Sequence, residues 1–164
     1  MANIKYKVCV LTVTYGNRWR FLQQVLQRVL GFAEVVQVVV VDNASEFSVL
    51  KEASVLADNR IKILVNADNK GSAGGYHQAL KFAYEHVAAD FFWLLDDDNL
   101  PDENALNILL EHWEKTPGGN DQKALFCLRP DRKPHVKIAQ GENPNRYYLV
   151  TDNFLGFSLK RIFY

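Results

Sequence analysis

Residues Val35 to Val41 read VVQVVVV, β-branched side chains interrupted by a single glutamine. Branching at Cβ stiffens χ1 and favours extended backbone over helix. A strand with one wet face alternates apolar and polar residues. This run does not alternate, so it is expected to be covered on both faces, as inner strands of parallel sheets are.

The remaining pattern is built around that strand. Lys7 to Val13 (KVCVLTV) reads as a second buried strand. Trp19 to Leu30 has helical spacing, with Phe21, Leu22, Val25, Leu26, Val29 and Leu30 on one side. A helix is expected around Phe47 to Leu56, a short strand at Ile61 to Val65, a helix from Ala73 to Val87 and a fourth strand at Phe91 to Leu95. Pro101 and Asp102 open a further helix, running to about Trp113. Strands alternating with helices predict an α/β fold. The expected sheet is Rossmann-like and mostly parallel, with helices on both faces and right-handed crossovers.

After Lys115 the texture changes. TPGGNDQ reads as a loop, KALFCL as a further strand, RPDRKPHVKIAQGENPNR as a long polar loop, and Tyr147 to Leu155 as extended chain. Residues 1–115 are expected to form the ligand-binding α/β core, and 116–164 to begin a further region of the same domain. The apolar ending Ile162, Phe163, Tyr164 is expected of the front part of a longer protein.

Charge excludes one class of partner. The 19 basic residues of this 164-residue chain balance its 19 acidic ones, so no excess positive field argues for a nucleic acid. Cys9 and Cys127 each sit in an apolar run, which predicts buried, reduced thiols in a cytosolic protein. The four histidines are scattered; His77, His86 and His112 fall in helical patterns and His135 does not. MANIKYK runs into VCVLTV without the apolar core of a secretory signal, and no apolar run has the length of a membrane span.

In an open parallel sheet, ligands bind beyond the carboxyl ends of the strands. The first strand delivers Thr14, Tyr15, Gly16, Asn17 and Arg18: a ring for stacking and a guanidinium for phosphate, or only a turn and a cap. The second delivers Asp42, Asn43, Ala44 and Ser45. There the carboxylate either accepts from the imide N–H of a uracil or thymine ring or caps the next helix. The third leads into NADNKGSAGGYHQAL, whose Gly71, Gly74 and Gly75 suit either a close ligand approach at a helix N-terminus or a tight turn. It is neither a Walker loop nor the dinucleotide fingerprint.

The fourth strand, FFWLL, runs into Asp96, Asp97 and Asp98. If extended geometry continues, Asp96 and Asp98 share one side and Asp97 faces the other. Paired carboxylates there form a hard oxygen site for Mg²⁺ or Mn²⁺. Together the four tips describe a nucleotide-diphosphate site.

These pieces, VTYGNR, VVVVDNAS, NKGSAGGYHQAL and LLDDDNLPDENAL, resemble the motifs of family 2 glycosyltransferases of the GT-A fold, in that family's order and over about residues 7–110. The triple aspartate is similar to the family's DXD motif, and the GSAGG loop is nearest the rhamnosyl- and galactofuranosyltransferase branch. The resemblance implies that Val13, Thr14 and Tyr15 line the nucleobase pocket and that Asp42 reads the base. It places Asn69, Ala73 and Gly74 around base and ribose, and Asp96 and Asp97 near ribose and diphosphate. Asp98 would be the principal metal ligand, helped by Asp96, with Arg18 assisting the phosphates. It further implies a metal-assisted, inverting sugar transfer from a UDP or dTDP donor to a glycan or lipid-linked acceptor, in the cytoplasm at the membrane's cytoplasmic face. The cofactor would be Mn²⁺ or Mg²⁺, and acceptor contacts would lie beyond Lys115.

The chain departs from the pattern at the catalytic base. The family's acidic motif would lie beyond a segment like NFLGFSLKR, and Asp152 before that segment is a poor substitute. Alternatives are a nucleotide-sugar-binding domain without chemistry and a metal-dependent nucleotidyl or phosphotransfer domain using Asp42 and Thr14. The expected behaviour is nucleotide-sugar binding with little transfer, measurable as sugar release per mole of chain. Robust multi-turnover transfer by these 164 residues would contradict it.

Overall fold

The computed structural model describes residues 4–127, 131–148, 153–154 and 157–158. Two compact units divide the chain after Glu111.

The first unit holds a four-stranded sheet of β1 (Val8–Gly16), β2 (Val35–Ser45), β3 (Ile61–Asn66) and β4 (Phe91–Leu94), in the order β3-β2-β1-β4. Every pairing is parallel. Helices α1 (Trp19–Leu30), α2 (Val49–Ser54) and α3 (Gly71–His86) connect the strands, and α4 (Ala105–Lys115) follows β4. The α/β, Rossmann-like expectation holds.

Alternation assigns the two faces. Val8, Val10, Val38 and Val40 pack with Leu22, Val25, Leu26 and Val29 of α1, Val49 of α2 and Leu106 of α4. Cys9, Leu11, Val13, Val39 and Val41 pack with Ala79 and Ala83 of α3. Val38 to Val41 are all 0% exposed. Full burial of one valine contributes about 1.5–3 kcal/mol, against a strand-propensity range of about 1 kcal/mol, so cover on both faces decides this strand.

Three helix boundaries differ from expectation. The second helix spans Val49–Ser54 rather than 47–56, because Ser48 caps it by accepting from the Lys51 N–H at 3.2 Å. The helix after β4 begins at Ala105, since the chain first turns through an Ala105 N–H bond to the Asp102 carbonyl. Helix α3 begins at Gly71 rather than Ala73, so Gly71 belongs to the helix as Gly74 and Gly75 do. A Cβ on Gly75 would lie 2.6 Å from a Val13 methyl. That glycine lets α3 lie directly on β1.

In the second unit, α5 (Lys133–Ala139) and α6 (Asn145–Tyr148) occupy the stretch expected to be a loop. Glu142 organises it, accepting from Lys137, Arg146 and Tyr147. Those partners lie within five residues on either side, so local bonds build structure where composition suggested none. Tyr147 and Tyr148 are therefore helical, while β5 (Asn153–Phe154) and β6 (Phe157–Ser158) pair antiparallel. Earlier in this unit lies a 3-10 turn, Asn120–Gln122. Residues 123–127 of KALFCL form no strand, and Phe126 is 84% exposed. Asp152 and residues 159–164 lie outside the described residues.

Both cysteines are free, but only Cys9 is buried; Cys127 is exposed, contrary to expectation, because its segment joins no sheet. His77, His86, His112 and His135 are all exposed. No helix among the described residues is long and apolar enough to cross a membrane.

Two outcomes are expected. Gly75→Ala forces α3 off Val13 and destabilises the chain by about 1–3 kcal/mol in denaturant titration. Burial pushes the Cys9 thiol up to about 12. A thiol reagent at neutral pH therefore titrates Cys127 in the native chain and Cys9 only after unfolding.

Candidate functional site

The strand order reverses direction at β1: β2 and β3 lie on one side of it, β4 on the other. Such a switch point opens a crevice at the carboxyl ends. Here the crevice is sharpened by length. Pairing of β1 with β4 stops at Leu11 and Leu94, while β1 continues to Gly16.

The aspartates curl back into that opening. Strand β4 ends at Leu94, and the Asn99 N–H donates to the Asp96 carbonyl at 3.2 Å, so Asp96 to Asn99 form a turn. The backbone is a turn instead of a strand here, yet Asp97 still faces away from exposed Asp96 and Asp98. Asp97 points inward and is 3% exposed. It accepts from the Thr14 hydroxyl at 2.7 Å and from Arg18 Nε at 3.0 Å, with Arg18 Nη2 2.8 Å from its other oxygen. Arg18 Nη2 also lies 2.6 Å from Asp98 Oδ2. Asp97 and Asp98 thus share one guanidinium.

Asp96 has a separate set of partners. The Tyr76 hydroxyl donates to Oδ1 and the Asn99 amide to Oδ2, each at 3.0 Å. Asp96 and Asp98 are both exposed. Burial and the nearby aspartates, Asp96 first, push the Tyr76 phenol well above its usual range, so it remains a donor. Burial raises the Asp97 carboxyl; Thr14 and Arg18 oppose that rise. Burial pulls the Arg18 guanidinium down, but Asp97 and Asp98 together hold it above its ordinary value.

The other two tips form a second polar knot. Asp42 is buried, and its Oδ1 accepts from the Ser45 N–H at 2.9 Å. That bond closes the chain over Ala44, which sits at φ 60. A left-handed non-glycine residue costs about 1–2 kcal/mol, and such strain concentrates at functional sites. The buried Asn43 donates to Asn69 Oδ1 at 2.8 Å and to the Gly71 carbonyl at 3.1 Å. It accepts from Asn66 Nδ2 at 3.2 Å and the Lys70 N–H at 3.0 Å. Asn69 Oδ1 also accepts from the Gly71 N–H at 2.9 Å.

The expected residues separate accordingly. Thr14, Arg18, Asp96, Asp97 and Asp98 converge at the β1/β4 crevice. Exposed Tyr15 stands beside Arg18, its ring centroid 5.1 Å from the guanidinium carbon. Asp42 and Asn69 belong to the β2/β3 tips, Ala73 is exposed in the first turn of α3, and Gly74 follows it. Val13 is buried beneath α3 at Gly75. Arg18, expected at phosphates, is bonded to two aspartates. Neither Asp42, Asn43 nor Ser45 caps α2. The phosphotransfer alternative also weakens, because Thr14 is bonded to Asp97 and Asp42 to the Ser45 backbone.

The sequence reading missed Tyr76, Asn66 and Asn99, and named Asn43 only as part of the second strand tip. Their only signal was an amide or phenol placed beside a strand tip. No group of three or more His, Cys, Asp or Glu with metal-holding geometry occurs among the described residues. A divalent ion bound with a diphosphate needs only one or two carboxylates and keeps its waters. Exposed Asp98 and Asp96, two of the three carboxylates that share this crevice with one guanidinium, fit that smaller demand.

Thr14→Val keeps shape but strips a donor from buried Asp97. The expected loss is about 1–3 kcal/mol in denaturant titration, with Thr14→Ser recovering most of it.

The sequence model of glycosyl transferase family 2 matches residues 9–157. Among solved structures, S. aureus TarS 1-349 in complex with UDP-GlcNAc is 22% identical with a TM-score of 0.56, covering 66% of this chain and 31% of that one. The Pyrobaculum calidifontis mannosyltransferase PcManGT in complex with GDP-Man and Mn²⁺ is 23% identical with a TM-score of 0.54, covering 70% and 34%. These likenesses concern the fold, and the chain spans about a third of the length of either. A comparison with curated proteins gives no match. Because the family match runs through nearly the whole chain and takes in all four strand tips, the chain belongs to glycosyl transferase family 2.

Proposed function

We propose that this chain is the donor-binding part of a glycosyltransferase that takes a sugar from a UDP- or dTDP-type nucleotide sugar and passes it, with inversion, to a hydroxyl of a glycan or lipid-linked acceptor. The observation that carries the reading is the β1/β4 crevice. A buried Asp97 joined to Thr14 and Arg18 presents Asp96 and Asp98 outward at the switch point. Family membership and neighbours solved with UDP-GlcNAc and with GDP-Man support it.

Each residue has a role in this reading. Tyr15 offers an exposed ring for the base, and Asp42 an imide acceptor. Asn69, Ala73 and Gly74 border base and ribose, on a turn held by Asn43. Asp96, oriented by Tyr76 and Asn99, accepts from ribose hydroxyls. Asp98 and, secondarily, Asp96 would hold Mn²⁺ or Mg²⁺. Once bound, the ion supplies charge stabilisation for the departing diphosphate. Residues 116–164 are assigned to the acceptor side, at the cytoplasmic face of a membrane. No described carboxylate is assigned as the base.

Calorimetry with UDP, dTDP and GDP, with and without Mn²⁺, tests this. UDP or dTDP is expected to bind in a Mn²⁺-dependent manner, and Asp98→Ala to weaken that binding by about 10-fold or more. Absence of nucleotide affinity, or an unchanged Mn²⁺ dependence in Asp98→Ala, would refute the assignment.

A further inference from the structure

The three aspartates are not equivalent, and Arg18 is what distinguishes them. Its guanidinium meets Asp97 at two points, Nε to Oδ2 at 3.0 Å and Nη2 to Oδ1 at 2.8 Å. The same Nη2 reaches Asp98 Oδ2 at 2.6 Å. The Asp97 end is deep, with its side chain 5% exposed and Thr14 as a further anchor. The Asp98 end is open, with its side chain 45% exposed. Arg18 is therefore anchored on Asp97 through Nε and one N–H of Nη2, while the second N–H of Nη2, on exposed Asp98, is exchangeable.

A divalent cation that takes Asp98 competes with Nη2 for that carboxylate. A guanidinium cannot escape by losing its proton, so it must move. Its outer edge is exposed: Nη1 donates to the exposed Tyr15 hydroxyl at 3.3 Å. Charge orders the events. Three carboxylates and one guanidinium sum to −2, which a divalent cation cancels. A diphosphate then brings negative charge that the cation and a released guanidinium edge meet together.

We propose that Arg18 is the resident counter-ion of this site, holding Asp98 in the metal's place and turning Nη2 to the donor diphosphate when a divalent cation takes that carboxylate. It is a positioning residue that makes metal and nucleotide binding mutually favourable. This rests on the donor-site reading above.

The test measures Mn²⁺ alone by electron paramagnetic resonance and UDP at saturating Mn²⁺ by calorimetry. In Arg18→Gln, Mn²⁺ alone is expected to bind about three- to tenfold tighter, because its competitor is gone. UDP is expected to bind about tenfold weaker. The double variant Arg18→Met/Asp97→Asn removes the buried pair and keeps the cluster at −2. It should show the same opposed changes, separating displacement from a general gain in negative charge. Unchanged or weaker Mn²⁺ binding in the variants overturns the proposal: a structural role weakens both ligands, and a plain phosphate ligand leaves Mn²⁺ unaffected. In the wild-type chain, Mg²⁺ alone should shift the Arg18 guanidinium NMR resonances, and unmoved resonances at saturation also overturn it. If the wild-type chain binds neither Mn²⁺ nor UDP, the donor-site reading falls with it. If it binds both and only the variant pattern fails, the donor-site reading stands.

Discussion

A carboxylate taken out of water must bring its partners with it, and Asp97 brings Thr14 from the tip of β1 and Arg18 from the start of α1. The turn after β4 has its present shape because that one side chain points inward. Asp96 and Asp98, on either side of it, are left facing outward with different neighbours. The cluster does more for position than for net stability, since desolvation offsets much of what a buried ion pair gains. The upward push of burial on the Asp97 carboxyl is in that direction.

The second knot reaches a similar end without charge. Asn43 spends its side-chain amide on three stretches of chain, the end of β3, Asn69 and the first residues of α3. A neutral amide suits a buried crossing, because every bond it makes replaces one to water without stranding an ion. Below both knots the buried side chains of the sheet are apolar except Thr12, so polar chemistry is concentrated at the carboxyl ends. Gly75 complements this arrangement from the other side of the sheet. It lets α3 rest on Val13, which sets the height from which Tyr76 reaches Asp96.

The chain belongs to glycosyl transferase family 2 and spans about a third of the solved proteins it is similar to. The sequence motifs identified the strand tips but not the bonds between them. Gly75 was a candidate for ligand approach and serves helix packing. Arg18, a candidate phosphate ligand, bonds two aspartates. Alternation set Asp97 apart from Asp96 and Asp98, as burial does, but gave no sign that Arg18 ties Asp98 to Asp97. The helix α5, by contrast, was hidden by a polar composition whose stabilising bonds are local ones around Glu142.

Periodicity determined the rest. A run of valines broken only by Gln37 required cover on both faces, and alternating strand and helix patterns then left little besides a parallel α/β sheet with its chemistry at the carboxyl ends. Those signals are short-range, because a side chain's face depends on its place in the pleat or turn. What only the tertiary structure decided was which tip partners which. Thr14 and Asp97 are 83 residues apart, and nothing local marks one as the other's partner. Their bond exists because the order β3-β2-β1-β4 places β4 against β1, and because β1 outruns β4 and leaves a gap that a buried carboxylate fills.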